Sequence, residues 1–132
     1  MRSLHHVHIM AHDLSKTVSF WTDVLDARVL VDTEVAGARN VFMQVGDGLV
    51  HVYDQPPNHR GPVNHLGIRV DDLDSAVIAL ASAGFEPRPV KSDGSLRYSM
   101  VEGPDGILFE LFEVKPGSLE PALSRYFGVD EG

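Results

Sequence analysis

The sequence predicts an α+β fold in which two βαβββ modules form a curved, cup-like mixed sheet with helices on its outer side. An internal repeat is the first observation behind this prediction: three residues recur 59 positions later, namely His6 as His65, Asp13 as Asp72 and Leu14 as Leu73. The second is that each copy begins with strand-like alternation and continues with helical periodicity. The third is a series of short alternating segments separated by glycine and proline turns. Two copies of one supersecondary unit follow from this pattern.

The first module spans residues 4–54, and each of its elements has its own signal. Residues 4–10 alternate like a strand. Asp13 is placed to cap a helix in which Leu14, Val18, Trp21, Val24 and Leu25 recur at helical spacing to about residue 26. Phe20, Trp21 and Val24 are predicted to be core. Strands at residues 28–33, 40–45 and 49–54 follow, separated by two glycine-containing turns.

A linker and a second module complete the prediction. Residues 55–62 contain two adjacent prolines and a Gly-Pro pair, which interrupt both helices and strand ladders. The second module, residues 63–114, begins with a strand at 63–70. A helix at 73–83 is capped by Asp72 and ends at Gly84, and strands at 86–91, 96–101 and 107–114 follow. Residues 115–132 form a C-terminal tail with a short helix at 119–126. The whole chain, residues 1–132, is predicted to be a single domain.

Composition excludes several classes of function. The chain has 132 residues, no cysteine and a formal net charge of -8. The absence of cysteine excludes thiol catalysis and zinc-thiolate sites. The acidic balance argues against nucleic acid as a partner, since that requires clustered basic residues. The N-terminus lacks the apolar core of a signal peptide and no segment is long and apolar enough to span a membrane, so we expect a soluble cytoplasmic protein.

The alternation of the strands places four potential metal ligands on one face. If the aliphatic faces pack against the helices, the opposite, concave face carries His6, His51, His65 and Glu110. His51 and Glu110 are themselves 59 residues apart, so the four side chains occupy two repeat-equivalent pairs of positions. Three imidazoles and a carboxylate suit a divalent metal ion such as nickel, zinc, manganese, cobalt or iron.

Such a centre predicts a type of chemistry. An octahedral ion with four protein ligands keeps two positions for neighbouring oxygens of a small substrate. The ion would then act as a Lewis acid that stabilises an enediolate or another oxyanion as it forms. The protein would need to add only a base, for which Glu110 and His51 are the candidates.

Three segments resemble a known family. They are H-V-H-I-M-A-H-D-L with F-W-T-D-V-L in the first module, H-L-G-I-R-V-D-D-L at the start of the second, and G-P-D-G-I-L-F-E-L near its end. Together they are similar to the vicinal oxygen chelate superfamily, which includes glyoxalase I, methylmalonyl-CoA epimerase, extradiol dioxygenases, fosfomycin-resistance enzymes and bleomycin-binding proteins. The resemblance implies paired βαβββ modules around a metal ion, often in a homodimer, and a metal-dependent lyase or isomerase as the activity.

The resemblance carries the family's metal positions onto His6, His51, His65 and Glu110. His51 departs from the pattern, because glyoxalase I usually has a glutamate there and the epimerase a glutamine, so the second carboxylate used as a base is missing. The remaining His6, His65 and Glu110 resemble the facial triad of the iron-dependent ring-cleaving dioxygenases. A dioxygenase is therefore the first alternative function, and in it His51 would act as an acid or base. A metal-free drug-binding or antibiotic-resistance protein is the second. A thiol cofactor is neither required nor excluded.

Three further residues are candidates for substrate binding. His8 shares the inward face of His6, and Arg69 and Arg97 lie on strands where they could bind an anionic group. The alternative for an arginine on a strand is an ion pair with a neighbouring carboxylate. We expect His5, His12 and His59 to lie at the surface.

Overall fold

The computed structural model describes residues 2–92, 96–115, 119 and 121–127. The chain divides into two compact units, His6–Asn64 and Met1–His5 with His65–Gly132. The first strand therefore contributes its first residues to one unit and its last to the other. Each unit has the element order expected of a βαβββ module, so the predicted α+β fold of two such modules is confirmed.

The first unit contains one helix and four strands. Its elements are the end of β1 (Arg2–Met10), α1 (Leu14–Ser19), a π-helical turn (Phe20–Val24), β2 (Arg28–Val35), β3 (Ala38–Val45) and β4 (Gly48–Tyr53). The strands are ordered β2-β3-β4-β1. The pair β1 and β4 is parallel and the other two pairs are antiparallel, so the sheet is mixed, as predicted.

One face of this sheet is aliphatic and packs against α1. Val41, Met43, Val50 and Val52 are almost fully buried there, together with Leu14 of the helix. Asp13 caps α1, because its Oδ1 accepts a hydrogen bond from the backbone N–H of Lys16 at 3.0 Å. The predicted cap is thus confirmed, and it sets the point where the helix leaves the sheet.

The helix of the first module is shorter than predicted. It is regular only to Ser19, and the π-helical turn that follows has one more residue per hydrogen-bonded loop. That extra residue changes the side-chain spacing, so Val24 at the end of the turn is 62% exposed. Phe20 lies off the spacing of Leu14, Val18 and Trp21 and is 52% exposed. The prediction of Phe20 and Val24 as core residues was wrong. Trp21 does pack against the core.

The second unit repeats the arrangement. It contains β5 (Val63–Val70), α2 (Leu73–Ser82), β6 (Lys91–Ser92), β7 (Leu96–Glu102), a 3-10 turn (Pro104–Gly106), β8 (Leu108–Val114) and α3 (Pro121–Phe127). The strands are ordered β5-β8-β7-β6, with β5 parallel to β8. Asp72 caps α2 through a 3.1 Å hydrogen bond from the N–H of Ser75, and Gly84 ends it with a φ of 94°, both as predicted.

Two segments of the second unit differ from the prediction. The strand expected at residues 86–91 is reduced to Lys91–Ser92, because Pro87 and Pro89 lack the N–H that a strand ladder needs. Arg88 between them still donates its N–H to the Met100 carbonyl at 2.8 Å. The predicted helix at residues 119–126 is observed as α3, Pro121–Phe127. Within the described part of the chain, no helix has the length and apolarity needed to cross a bilayer.

Candidate metal centre

Two buried histidines lie side by side in the first unit. His6 on β1 is 2% exposed and His51 on β4 is 6% exposed. Their strands are parallel neighbours, and the ring centroids are 4.5 Å apart. The alternation of a strand explains why both rings lie on the face opposite to Val50 and Val52, which belong to the aliphatic core.

His8 contacts the second of these histidines. It is the cross-strand partner of His51, and His51 Nε2 and His8 Nδ1 are hydrogen-bonded at 2.9 Å. The His8 ring also lies against Tyr53, with the centroids 5.2 Å apart. Burial lowers the pKa of His8 to about 4, so the ring is neutral at neutral pH. A neutral imidazole can both donate and accept a hydrogen bond, which suits it to hold His51 in one orientation.

The second unit contains the equivalent pair. His65 on β5 is buried, with a 7% exposed side chain, and Glu110 on β8 is largely buried at 19%. His65 Nε2 and Glu110 Oε2 are 3.7 Å apart. The strands pair in parallel with Gly67 opposite Glu110, which is the register that places His8 opposite His51 in the first unit. The repeat seen in the sequence is therefore also present in the registers of the two sheets.

The donor atoms of His65 and Glu110 are spaced as two ligands of one divalent metal ion would be. The distance between His65 Nε2 and Glu110 Oε2 is too long for a hydrogen bond. Two ligands of one ion, each about 2.0–2.2 Å from it, are roughly 3–4 Å apart, which matches the observed separation. The Nε2 atoms of His6 and His65 are both buried. Imidazole nitrogen with carboxylate oxygen is a donor set that divalent first-row metals accept.

Arg69 lies on the same face of its strand as His65 and binds the C-terminal helix. Its guanidinium donates to the carbonyl of Phe127 at 2.5 Å. His5 Nε2 donates to the carbonyl of Tyr126 at 2.9 Å, and the His5 ring stacks on Phe127. The pKa of His5 is lowered to about 4, mainly by burial. The hydrogen bond to Tyr126 acts in the opposite direction and raises this pKa, whereas the positive charge of Arg69 lowers it further. The expectation that His5 lies at the surface was wrong.

The aromatic end of α3 was not recognised as part of this face. Tyr126 is 1% exposed, and burial, with a smaller contribution from Glu110, raises the pKa of its hydroxyl well above the usual range. Phe127 packs edge-on against Phe112, which lies on the same face of β8 as Glu110. Two adjacent aromatic residues in the C-terminal tail, Tyr126 and Phe127, were the available signal.

Arg97 lies in a different environment. It donates to Glu113 at 2.5 Å and to Asp74 at 3.0 Å. Glu113 alternates with Phe112 on β8, so this ion pair is on the side of the sheet that faces α2, away from Glu110. The predicted substrate role of Arg97 stays a prediction, and the two carboxylates account for its position independently.

Comparison with known proteins identifies the family. The sequence profile of the Glyoxalase/Bleomycin resistance protein/Dioxygenase superfamily matches residues 3–111. YwkD of Bacillus subtilis (strain 168) is 27% identical over 86% of this chain and 98% of its own length. The "Probable lactoylglutathione lyase, chloroplastic" of Arabidopsis thaliana is 29% identical over 98% of this chain, which spans 45% of that protein.

A solved structure shows the same fold. Methylmalonyl-CoA epimerase from Mycobacterium tuberculosis superposes with a TM-score of 0.68 at 22% identity, covering 86% of this chain and 88% of that chain. At this identity the likeness establishes the fold alone. Because the profile match covers most of the residues in both modules, the chain belongs to the Glyoxalase/Bleomycin resistance protein/Dioxygenase superfamily.

Proposed function

We propose that the protein is a metal-dependent lyase or isomerase that acts on a small substrate chelated through two vicinal oxygens. His6, His51, His65 and Glu110 would hold the divalent ion. One observation carries the proposal: buried, ligand-competent side chains occupy the same pair of strand positions in both modules. A core formed only for packing would have no reason to place imidazole or carboxylate groups at both positions of both copies.

The ion would supply Lewis-acid stabilisation of negative charge on the substrate oxygens. The protein's own residues would move the proton. Glu110 is a carboxylate in a largely buried position, and His51 is a histidine held by a second histidine, so either can accept a proton from an acidic C–H and return it.

The role of His51 has two versions. As the fourth ligand, it would turn its ring from His8 or bind through Nδ1. As an acid or base, it would keep its hydrogen bond to His8, and His6, His65 and Glu110 would bind the ion. The 2.9 Å contact with His8 Nδ1 favours the second version, since that contact occupies His51 Nε2. His51→Ala, which leaves no ligand atom at this position, separates the two: lost metal supports a ligand, and retained metal with lost proton exchange supports a base.

The substrate would be a small molecule with an acidic C–H next to a carbonyl. Lactoylglutathione and methylmalonyl-CoA are the compounds in the names of two relatives, and both have such a C–H beside a thioester. His8 and Arg69 lie on the same strand faces as the proposed ligands and could contact the substrate. Arg69 would first have to release the Phe127 carbonyl.

Hydrogen exchange with solvent tests the proposed chemistry directly. Metal-loaded protein in deuterated buffer should incorporate deuterium at the acidic C–H of at least one member of a panel of thioesters and dicarbonyls, with and without glutathione. Glu110→Gln should abolish the exchange, whereas Glu34→Gln, at an exposed position of β2, should not. Absence of exchange across the panel in fully loaded protein would contradict a lyase or isomerase.

An iron-dependent dioxygenase is the second candidate. The hydrogen bond between His8 and His51 favours it, because it leaves two histidines and one carboxylate as the ligand set. Anaerobic loading with Fe²⁺ followed by oxygen uptake with catechols tests it, and no uptake would exclude it for that panel. A metal-free binding protein, the third alternative, requires that purified protein contain no stoichiometric metal.

We also propose a homodimer, as the family resemblance implies, and a cytoplasmic location, as expected from the sequence. Analytical ultracentrifugation at several concentrations tests the dimer, and a monomer at all of them would contradict it.

A further inference from the structure

A cavity of about 400 Å³ lies in the second unit between α2 and the sheet. Ala79, Leu80 and Ala83 of the helix form one wall, and Phe85 and Phe109 form part of the others. It reaches core residues such as Leu111, which is 7% exposed. The volume is in the range of small-molecule sites, about 300–1,000 Å³.

The cavity is separate from the proposed metal centre. Its strand residues Phe109 and Leu111 alternate with Glu110, and Ile68 alternates with Gly67 and Arg69. Successive side chains of a strand point to opposite faces, so the cavity is on the side of the sheet that faces α2. Neither the metal ligands nor the proton-transfer residues line it.

Small side chains on α2 leave this volume open. Ala79 and Ala83, the repeat equivalents of Phe20 and Val24, line the cavity, and each carries only a methyl group. Alanine stabilises the helix without filling space beside it, so the sheet below stays partly uncovered.

The lining predicts the chemistry of the ligand. The walls are apolar, which favours a hydrocarbon body. Arg2 alone carries charge among the described residues that line the cavity. A guanidinium at the edge of an apolar site favours a carboxylate head group, which would otherwise be repelled by a chain of net charge -8. We propose that this cavity binds a small amphipathic carboxylate of the medium-chain fatty acid class.

Titration with decanoate, below the concentration at which it forms micelles, tests the site. The full-length protein should bind decanoate, measured by calorimetry. Ala79→Phe restores the residue of the first module and should weaken binding at least tenfold. Ala81→Phe makes the same change on the same helix outside the cavity and should leave binding unchanged. Equal affinity in Ala79→Phe and Ala81→Phe would overturn the proposal.

Two milder variants keep the test valid if Ala79→Phe does not fold. Ala83→Val fills less of the cavity and should weaken decanoate binding by a smaller factor. Arg2→Gln should lower the affinity for decanoate about fivefold, because it removes an exposed ion pair. The affinity for decanol, which has no carboxylate, should not change. Added salt should weaken decanoate binding to the native chain but not to Arg2→Gln. Equal loss for decanoate and decanol would overturn the role of Arg2.

Two further outcomes would also overturn the proposal. If His65→Ala abolished decanoate binding, the ligand would be at the metal centre instead. If Ala79→Phe changed the oligomeric state by ultracentrifugation and left decanoate affinity intact, the cavity would be an interface between copies of the chain. The expected results are unchanged binding in His65→Ala and an unchanged oligomeric state in Ala79→Phe.

Discussion

His51 and His8 are cross-strand partners, and their ring nitrogens Nε2 and Nδ1 are hydrogen-bonded at 2.9 Å. In the second module the equivalent partners are Glu110 and Gly67, so the carboxylate has no side chain beside it at that position. The two halves of the proposed centre therefore differ in one respect. The first contains a histidine that contacts its neighbour, and the second has a glycine at the equivalent position.

This contact predicts the effect of His8→Ala. Because groups that orient a ligand or base typically contribute ten- to a hundredfold to activity, proton exchange should fall by roughly that factor. At saturating metal the stoichiometry should not change, since His8 is not a proposed ligand. Metal analysis and deuterium exchange on the same sample measure both quantities. Complete loss of metal would show that His8 is a ligand, and an unchanged exchange rate would reduce the contact to packing.

Much of this arrangement could be predicted from the sequence, for identifiable reasons. The offset of 59 residues fixed which positions are equivalent, and strand alternation fixed the face on which His6, His51, His65 and Glu110 lie. The hydrogen bond between His8 and His51 was not predicted, because it depends on the register of β1 against β4. Alternation gives the face of a side chain but not its neighbour on the next strand.

Glu113 joins α2 to the sheet, so its replacement should lower the stability of the protein. Its carboxylate accepts a 3.0 Å hydrogen bond from the N–H of Leu73, at the start of the helix, and a second from Arg97. Glu113→Ala should lower the free energy of unfolding by about 1–3 kcal/mol, because both donors lose a charged acceptor. Glu113→Gln keeps an acceptor and should cost less. Urea denaturation measures the order, and equal stability of all three proteins would contradict it.

Asp72 predicts a pH dependence. Hydrogen bonds from the Ser75 N–H and hydroxyl hold the pKa of its carboxyl below the usual value. A lowered folded pKa stabilises the protein above the unfolded value of about 3.9, and this stability is lost as the pH falls through the folded value. Asp72→Asn retains a good cap without titrating.

Urea midpoints measured from neutral to acidic pH test this expectation. The native chain should have the higher midpoint near neutrality, and its advantage over Asp72→Asn should shrink as the pH falls below about 4. A difference that stays constant over the whole range would contradict it. Asp72→Ala, which removes the cap itself, should have the lower midpoint at every pH.

The exposed end of the first helix predicts unequal effects of two truncations. Leu14 is 5% exposed, so Leu14→Ala should lower the free energy of unfolding by about 2–5 kcal/mol. Phe20 is 52% exposed, so Phe20→Ala should lower the free energy of unfolding by about 1 kcal/mol or less, although its side chain is larger. Equal losses in thermal or urea unfolding would mean that Phe20 is core after all.

The position of Phe20 also shows where sequence periodicity stops being informative. The spacing of Leu14, Val18 and Trp21 is helical and is correct, because all three pack into the core. Nothing in the local sequence marks Ser19 as the point where the regular helix ends and a π-helical turn begins. In the segment 86–91, by contrast, the sequence did carry the signal against a strand, because Pro87 and Pro89 lack the N–H that a ladder needs.

The most direct test of the central claim is the metal content of untagged protein purified without chelator, compared among three variants. The account predicts one divalent ion per chain in the native protein and in His12→Ala, whose histidine is exposed. Loss of that ion is expected in both His6→Ala and His65→Ala, because each module would supply part of the proposed ligand set. A native chain without metal, or an ion retained in full by either variant, would contradict it.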